Sequence, residues 1–345
     1  MSDLPLSTTF DRDALAVGIQ TLADHGVYVG TSSWKYEGWL GKLYSRDRYL
    51  TRKQFSNAKF ERECLAEFGE TFSTVCVDAG YYRFPPLEWI QQLMEATPEH
   101  FLFTFKVTDE ITARRFPNLP RHGKRAGLRN ENFLNVELFH DAFLSPLEPW
   151  REKVGVLFFE FSHFYPGDFD RGRDFVDALD LFLAALPQGW RYGVEVRNRN
   201  LLQPDYFEVL QRHGVAHIFN QWTKMPDVGE QLRLPGSLDC AGHMAARFLL
   251  KQGRDFEDAV NLFSPYTAVK EPHEGARQAA AELVRLALIK NKRTGQRSKR
   301  LFLYVNNRLE GNSLETIRAL IKLLDSDLPE ASPLPVKAKL PELLL

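Results

Sequence analysis

The stretch GVEVRNRNLLQPDYFEVLQRHGVAHIFN, residues 193–220, decides the fold. A β-rich run, Gly193–Arg197, leads into a helical segment, Asp205–Arg212, which returns to a second β-rich run, Val215–Asn220. The runs are mostly continuous apolar sequence rather than alternating apolar and polar. Strands covered on both faces of a parallel sheet read this way. One such unit predicts a strand–helix–strand crossover.

The same pattern extends in both directions. Further β-rich runs stand at Val27–Gly30, Val75–Asp78, Phe101–Val107, Gly155–Phe161, Ala245–Leu250 and Arg300–Asn306. Helical segments fit between or after them at Pro86–Glu95, Asp174–Leu186, Glu274–Lys290 and Leu314–Leu324. In the second of these, Phe175, Leu179, Phe182, Leu183 and Leu186 form one apolar stripe. Eight β/α alternations with no Gly-rich first turn predict an α/β fold: a closed TIM (β/α)₈ barrel rather than a doubly wound sheet. The predicted organisation is an N-terminal extension over 1–26, a single-domain barrel over 27–326 and a Pro-rich tail over 327–345. Insertions follow the first strand (38–63) and the third (108–133).

Composition sets outer bounds. The chain has 345 residues, 44% hydrophobic and 26% charged, with a net charge of −1. A neutral whole argues against a global polyanion-binding surface, so any such signal is local. The three cysteines, Cys64, Cys76 and Cys240, form no CxxC and no disulfide framework, which fits a reducing compartment. The N-terminus lacks a signal-peptide pattern, and no apolar run approaches the roughly 20 residues that span a bilayer. The expectation is a cytoplasmic protein with no membrane partner; the sequence leaves oligomeric state open.

In such a barrel the loops after strands form the ligand face, and those before strands serve stability. The basic run Lys290, Lys292, Arg293, Arg297, Lys299 and Arg300 precedes the last strand, so it belongs to the opposite end. The 108–133 loop carries Arg114, Arg115, Arg121, Lys124, Arg125 and Arg129. With Arg46, Arg48, Arg52 and Lys53 of the first insertion, it predicts a positive mouth.

Charges at strand ends supply the candidate site. Glu195 and Arg197 are two apart and share a face, so they are either a buried ion pair or an acid/base with an anion hook. Lys106 ends an apolar strand and either snorkels to solvent or points into the mouth. Asp78 shares a face with Cys76 and precedes Tyr81, Tyr82 and Arg83, residues suited to stacking and anion binding. Glu160 and Ser162 share a face, and His163 points the other way. A metal site built from Asp78, Glu160, His163 and Glu195 is left open, although no HxH or HExxH spacing supports it. Asn306 and Asn307 face opposite ways, so only one reaches a pocket. Asn312 and Glu315 form a capping box after Gly311, and the following helix start is a candidate phosphate seat. Trp34, after the first strand, suits packing or a rim.

Several fragments occur in order: GTSSWKYEGWLGKLY (30–44), TVCVDAGYYRFP (74–85), FLFTFKV (101–107), ITARRF (111–116), GVEVRNRNLL (193–202) and YVNNRLEGNS (304–313). This ordered set resembles the YecE-like family of bacterial barrel proteins of unknown function, over roughly 27–325. The resemblance implies a TIM-barrel fold and pocket-side positions at Gly30, Thr31, Ser32, Trp34, Tyr82, Arg83, Lys106, Glu195, Arg197, Arg247, Asn306, Asn307 and Gly311. The chain departs from the family pattern at Cys76, Asp78, Glu160–His163 and Arg308. The departures mark either a subgroup with a different ligand or a barrel without activity.

Two functional expectations follow. One is an enzyme, a hydrolase or a lyase/isomerase, acting on an anionic, phosphate-bearing substrate. Arg83, Lys106, Arg197 and Arg247 would hold the anion, Glu195 and then Asp78 would be acid/base, and Asn306 or Asn307 would hydrogen-bond the substrate. The other is a non-catalytic protein that binds nucleic acid or a phosphorylated ligand. No P-loop, GxGxxG or strong metal-binding string is present, so no cofactor is implied.

Overall fold

The computed structural model describes residues 10–294 and 300–328. Eight parallel strands close into a barrel: β1 Val27–Thr31, β2 Thr74–Val77, β3 Leu102–Lys106, β4 Val154–Phe161, β5 Tyr192–Val196, β6 Ala216–Gln221, β7 His243–Phe248 and β8 Arg300–Val305. Each strand pairs with its neighbours in sequence, and β8 returns to β1, with Val27 opposite Leu301. The expected α/β TIM barrel is the observed fold.

Helices follow the strands and run back along the outside. They include Asn57–Gly69 before β2, Leu87–Glu95 before β3, Gly172–Ala184 before β5, Pro204–His213 before β6, Glu274–Thr294 before β8 and Ser313–Leu323 after it. The helices expected from sequence lie within a few residues of these bounds. β7 starts two residues earlier than its apolar pattern suggested. His243 belongs to it because its ring nitrogen reaches the Tyr192 carbonyl at 3.0 Å, so a polar residue is satisfied inside the sheet. Part of the presumed N-terminal extension is a helix, Arg12–Asp24, capped by Asp11 and burying Leu15, Ile19 and Leu22. Arg297 and Lys299 of the basic run, and the tail beyond Leu328, lie outside the described residues. Arg300 opens β8, which places that end of the run away from the strand C-termini.

Alternation along each strand builds two cores. Outward residues such as Val27, Val75, Phe103, Phe159, Val194 and Leu303 pack under the helices. Inward residues Tyr28, Leu102, Val156, Phe158, Ile218, Phe302 and Tyr304 fill the lower barrel. The Tyr28 and Phe302 rings stack at 5.1 Å. Gly193 exists because Ile218 occupies the space beside it: a Cβ there would sit 2.9 Å from the Ile218 side chain. Above this layer the Tyr304 hydroxyl lies 2.6 Å from Thr104 Oγ1 and 2.8 Å from Thr74 Oγ1. The barrel is therefore solid to this height, and only its upper layer can carry chemistry.

Candidate functional site

The same alternation that fills the lower barrel with apolar groups turns at least one polar residue inward near the end of every strand. They are Ser32 (β1), Asp78 (β2), Lys106 (β3), Glu160 (β4), Glu195 and Arg197 (β5), Asn220 (β6), Arg247 (β7) and Asn306 (β8). All except Asp78 are buried. Isolated charges at such depth would be prohibitively desolvated, so they assemble into pairs.

Glu160 is the hub. Its Oε2 takes Lys106 Nζ at 2.9 Å, Arg197 Nη2 at 3.1 Å and Arg247 Nη1 at 2.7 Å. Arg247 also holds Glu195 at 2.9 Å and Asp78 at 2.8 Å. Arg197 Nη2 faces Glu195 Oε1 at 2.5 Å. Burial alone would raise the Glu160 carboxyl, but Lys106, Arg197 and Arg247 outweigh it and hold the group well below the usual carboxylate range. Burial opposes the charge of Arg247, while Asp78 and Glu195 raise it further. The assembly is a lattice of alternating acids and bases.

The lattice is graded. Glu195 has no exposed side-chain surface, whereas Lys106 and Glu160 are each 10% exposed and Asp78 is 31% exposed. Lys106, Glu195 and Arg197 thus converge as the sequence predicted, through an acid, Glu160, that sequence reasoning considered only as a metal ligand. Asp78 lies not in β2 but at the start of a one-turn helix, Asp78–Tyr81, which lifts it toward solvent. Aromatic faces wall the cations: Lys106 Nζ lies 3.4 Å over Tyr81, and the Arg197 guanidinium 4.0 Å over Trp222.

Several buried polar atoms around this layer have no hydrogen-bond partner. They are Arg197 Nε and Nη1, Arg247 Nε, Ser32 Oγ, Trp34 Nε1, Asn307 Nδ2, Arg308 Nε and two acceptors, Asn220 Oδ1 and Glu195 Oε1, the latter in ion-pair contact with Arg197 but without a well-directed hydrogen bond. Six of these eight residues present donors. Trp34 is buried, so it is not a freely exposed rim residue. Tyr82 and Arg83 are exposed. They line a cavity of about 220 Å³ with Asp109, Glu110, Arg121 and His122.

Two expectations need correction, and one possibility left open is answered. The helix after β8 is not an open phosphate seat. Its Ser313 N donates to Asn307 Oδ1 at 2.8 Å and Glu315 N to Asn312 Oδ1 at 3.0 Å, and the segment Gly311–Leu314 is buried. Gly311, at φ +114°, is there for packing: a Cβ would sit 2.6 Å from the Ala268 carbonyl. Asn307 is thus a cap, while Asn306 continues the inward face of Phe302 and Tyr304 and accepts from Arg308 N at 3.0 Å.

The positive mouth is also weaker than its sequence suggests. Arg115 pairs with Asp168 at 3.3 Å, Arg121 with Asp109 at 3.1 Å and Arg125 with Glu110 at 2.8 Å. Arg48 pairs with Glu67 and Glu70 at the end of the helix leading into β2, toward the other end of the barrel. The four-residue metal set does not assemble. Glu160 and Glu195 are engaged by arginines, His163 Nδ1 lies 3.3 Å from the Arg197 carbonyl, and among the described residues no group of three or more His, Cys, Asp or Glu converges on a metal position. Cys64, Cys76 and Cys240 are buried thiols, and among the described residues no helix is long and apolar enough to cross a membrane.

Similar proteins agree with this architecture. A DUF72 family protein from Thermotoga maritima shares 19% identity at a TM-score of 0.55, covering 87% of this chain and 99% of its own. One from Enterococcus faecalis shares 16% at 0.55, covering 87% and 98%. At these identities the likeness concerns the fold. No curated protein matches. The profile of the protein family of unknown function DUF72 matches residues 28–339, and the chain belongs to that family.

Proposed function

We propose that the barrel mouth binds a compact, acceptor-rich anionic molecule, and that Asp78 is the group exchanging a proton with it. The observation that carries this reading is Arg197. It is buried, its Nη2 is shared by two carboxylates, and its Nε and Nη1 have no acceptor. Buried donors are costly to leave unmet, and an incoming ligand oxygen would satisfy them. Ser32, inward on the adjoining upper layer, adds another unmet hydroxyl.

Within this reading Glu160 stays ionised and orients Lys106, Arg197 and Arg247. Glu195 lies beneath two arginines and supports them. Asp78, the most exposed acid of the lattice, is the better acid/base candidate. Proton transfer of this kind serves a lyase/isomerase or a hydrolase. The nucleic-acid alternative loses support because three arginines of the 108–133 loop are already paired.

A thermal-shift screen of phosphorylated and carboxylated metabolites tests the reading. A true ligand at 100 times its Kd would add about 2.7 kcal/mol of stability. Its shift should disappear in Lys106→Met, while Asp78→Asn should bind but lose turnover. A flat response of the wild-type protein across the anionic panel sinks the proposal.

A further inference from the structure

The lattice presents a charge problem for any anionic guest. Its cations are Lys106, Arg197 and Arg247, and its acids are Asp78, Glu160 and Glu195, so its formal charge is zero. It offers hydrogen-bond donors without net attraction for an anion. A second source of positive charge is required at the mouth.

Arg308 meets that requirement. It stands three residues beyond β8, in the turn that Asn306 fastens by accepting from Arg308 N. Its guanidinium lies 4.4 Å over the Phe256 ring, at the start of a helix following β7. The stack holds the group between two adjacent strand ends without neutralising it. Arg308 pairs with no carboxylate among the described residues, and its buried Nε has no acceptor. By contrast, Arg121, across the mouth over the Tyr82 ring, is committed to Asp109.

Strand order locates Arg308 relative to the lattice: β8 adjoins β7, whose Arg247 holds Asp78 at 2.8 Å. Burial raises the Tyr36 hydroxyl to about 12, with Arg308 pulling it down and Asp78 pushing it up. Burial likewise raises Tyr82, with Asp78 adding to it and Arg121, more than Arg308, pulling it down. Arg308 and Asp78 follow β8 and β2, the two strands that flank β1 in the barrel, at the same end.

We infer that Arg308 is the charge-selecting residue of the mouth: it binds the single anionic group of a ligand whose uncharged, hydroxyl-bearing part lies over Asp78 and Arg197. This rests on the mouth being a ligand site. The ligand class is a small polyol carrying one phosphate or carboxylate. The anion pairs with Arg308, while hydroxyls, which both donate and accept, suit the exposed Asp78 carboxylate and the unmet Arg197 donors.

Calorimetric titration of the full chain with glycerol, inorganic phosphate and glycerol 3-phosphate tests the assignment. Wild type should bind glycerol 3-phosphate more tightly than either fragment. Arg308→Gln should weaken the two anionic probes about tenfold and leave the glycerol 3-phosphate to glycerol preference nearly abolished. Arg308→Lys should keep a preference for the anion. The Arg308 side chain is partly exposed, and melting curves of both variants would verify folding. If Arg308→Gln binds the anionic probes as wild type does while Lys106→Met does not, the lattice holds the anion and the Arg308 assignment falls alone. If wild type binds none of the three but responds to another member of the anionic panel, the polyol and Arg308 assignment falls and the mouth-ligand reading stands; a flat panel as well sinks both.

Discussion

Glu160 and Arg247 meet across the inside of the barrel, Oε2 to Nη1 at 2.7 Å, from strands β4 and β7, which are not neighbours in the sheet. Two strands lie between them, so the pair is a transverse tie above the apolar layer. Both side chains are buried, and each has further charged partners. Deleting one member of such a cluster leaves its partners desolvated and uncompensated. Arg247→Met would strand Glu195 with Arg197 alone and release Asp78. The expected loss is about 3–5 kcal/mol in urea unfolding. A loss below about 1 kcal/mol would mean that the lattice does not brace the barrel.

Lys106→Met is expected to behave differently. Glu160 keeps Arg197 and Arg247 when Lys106 is gone, and methionine preserves much of the stem against Tyr81. The stability cost should be on the order of 1–2 kcal/mol. The ammonium is also at the solvent-reaching edge, so anion-induced thermal shifts should fall much more than stability does. Equal effects of Lys106→Met and Arg247→Met on unfolding would contradict the graded arrangement.

Much of the frame was legible because strands buried on both faces leave long apolar runs, as in 154–161 and 300–305. Period-two spacing also put Glu195 and Arg197 on one inward face. The hub was harder to see. Glu160 interrupts an apolar run as conspicuously as Glu195 does, but its three partners come from β3, β5 and β7. One charged residue at a similar height in each of several buried strands was the available signal. The neutralised 108–133 loop was not legible from its own composition. Arg115 finds Asp168 on a different βα loop, and Arg121 and Arg125 fold back onto Asp109 and Glu110 at the loop's start.

The buried His217 predicts an acid-sensitive limb of stability. Its Nδ1 lies 3.1 Å from the Tyr206 hydroxyl and its Nε2 3.3 Å from Gln231 Oε1. Gln231 spends its amide donors on the Asn220 and Pro226 carbonyls, so its Oε1 accepts from His217 Nε2. That network suits a neutral imidazole with Nδ1 as acceptor. Burial lowers the pKa from 6.5 to about 4. The unfolded chain therefore takes up a proton before the folded one does, and stability falls as pH drops from about 6.5 toward 4. The loss should approach roughly 3 kcal/mol. His217→Gln should flatten this limb in pH-dependent urea unfolding, even if it lowers stability overall. An unchanged slope would assign the acid sensitivity elsewhere.

The end of β8 predicts a separate, purely structural sensitivity. Asn307 Oδ1 accepts from both Ser313 N and Ser313 Oγ, at 2.8 and 2.9 Å, and so fastens the final helix to the strand end. Asn307→Ala should cost about 1–2 kcal/mol through the lost cap. Gly311→Ala should cost at least as much, because it adds a strained φ of +114° to a 2.6 Å approach on the Ala268 carbonyl. Neither residue is assigned contact with the anion. Both variants, once folded, should retain the glycerol 3-phosphate affinity of wild type to within about twofold, a difference under 0.5 kcal/mol. A selective loss of that affinity in folded Asn307→Ala would instead place its unmet Nδ2 donor among the ligand contacts.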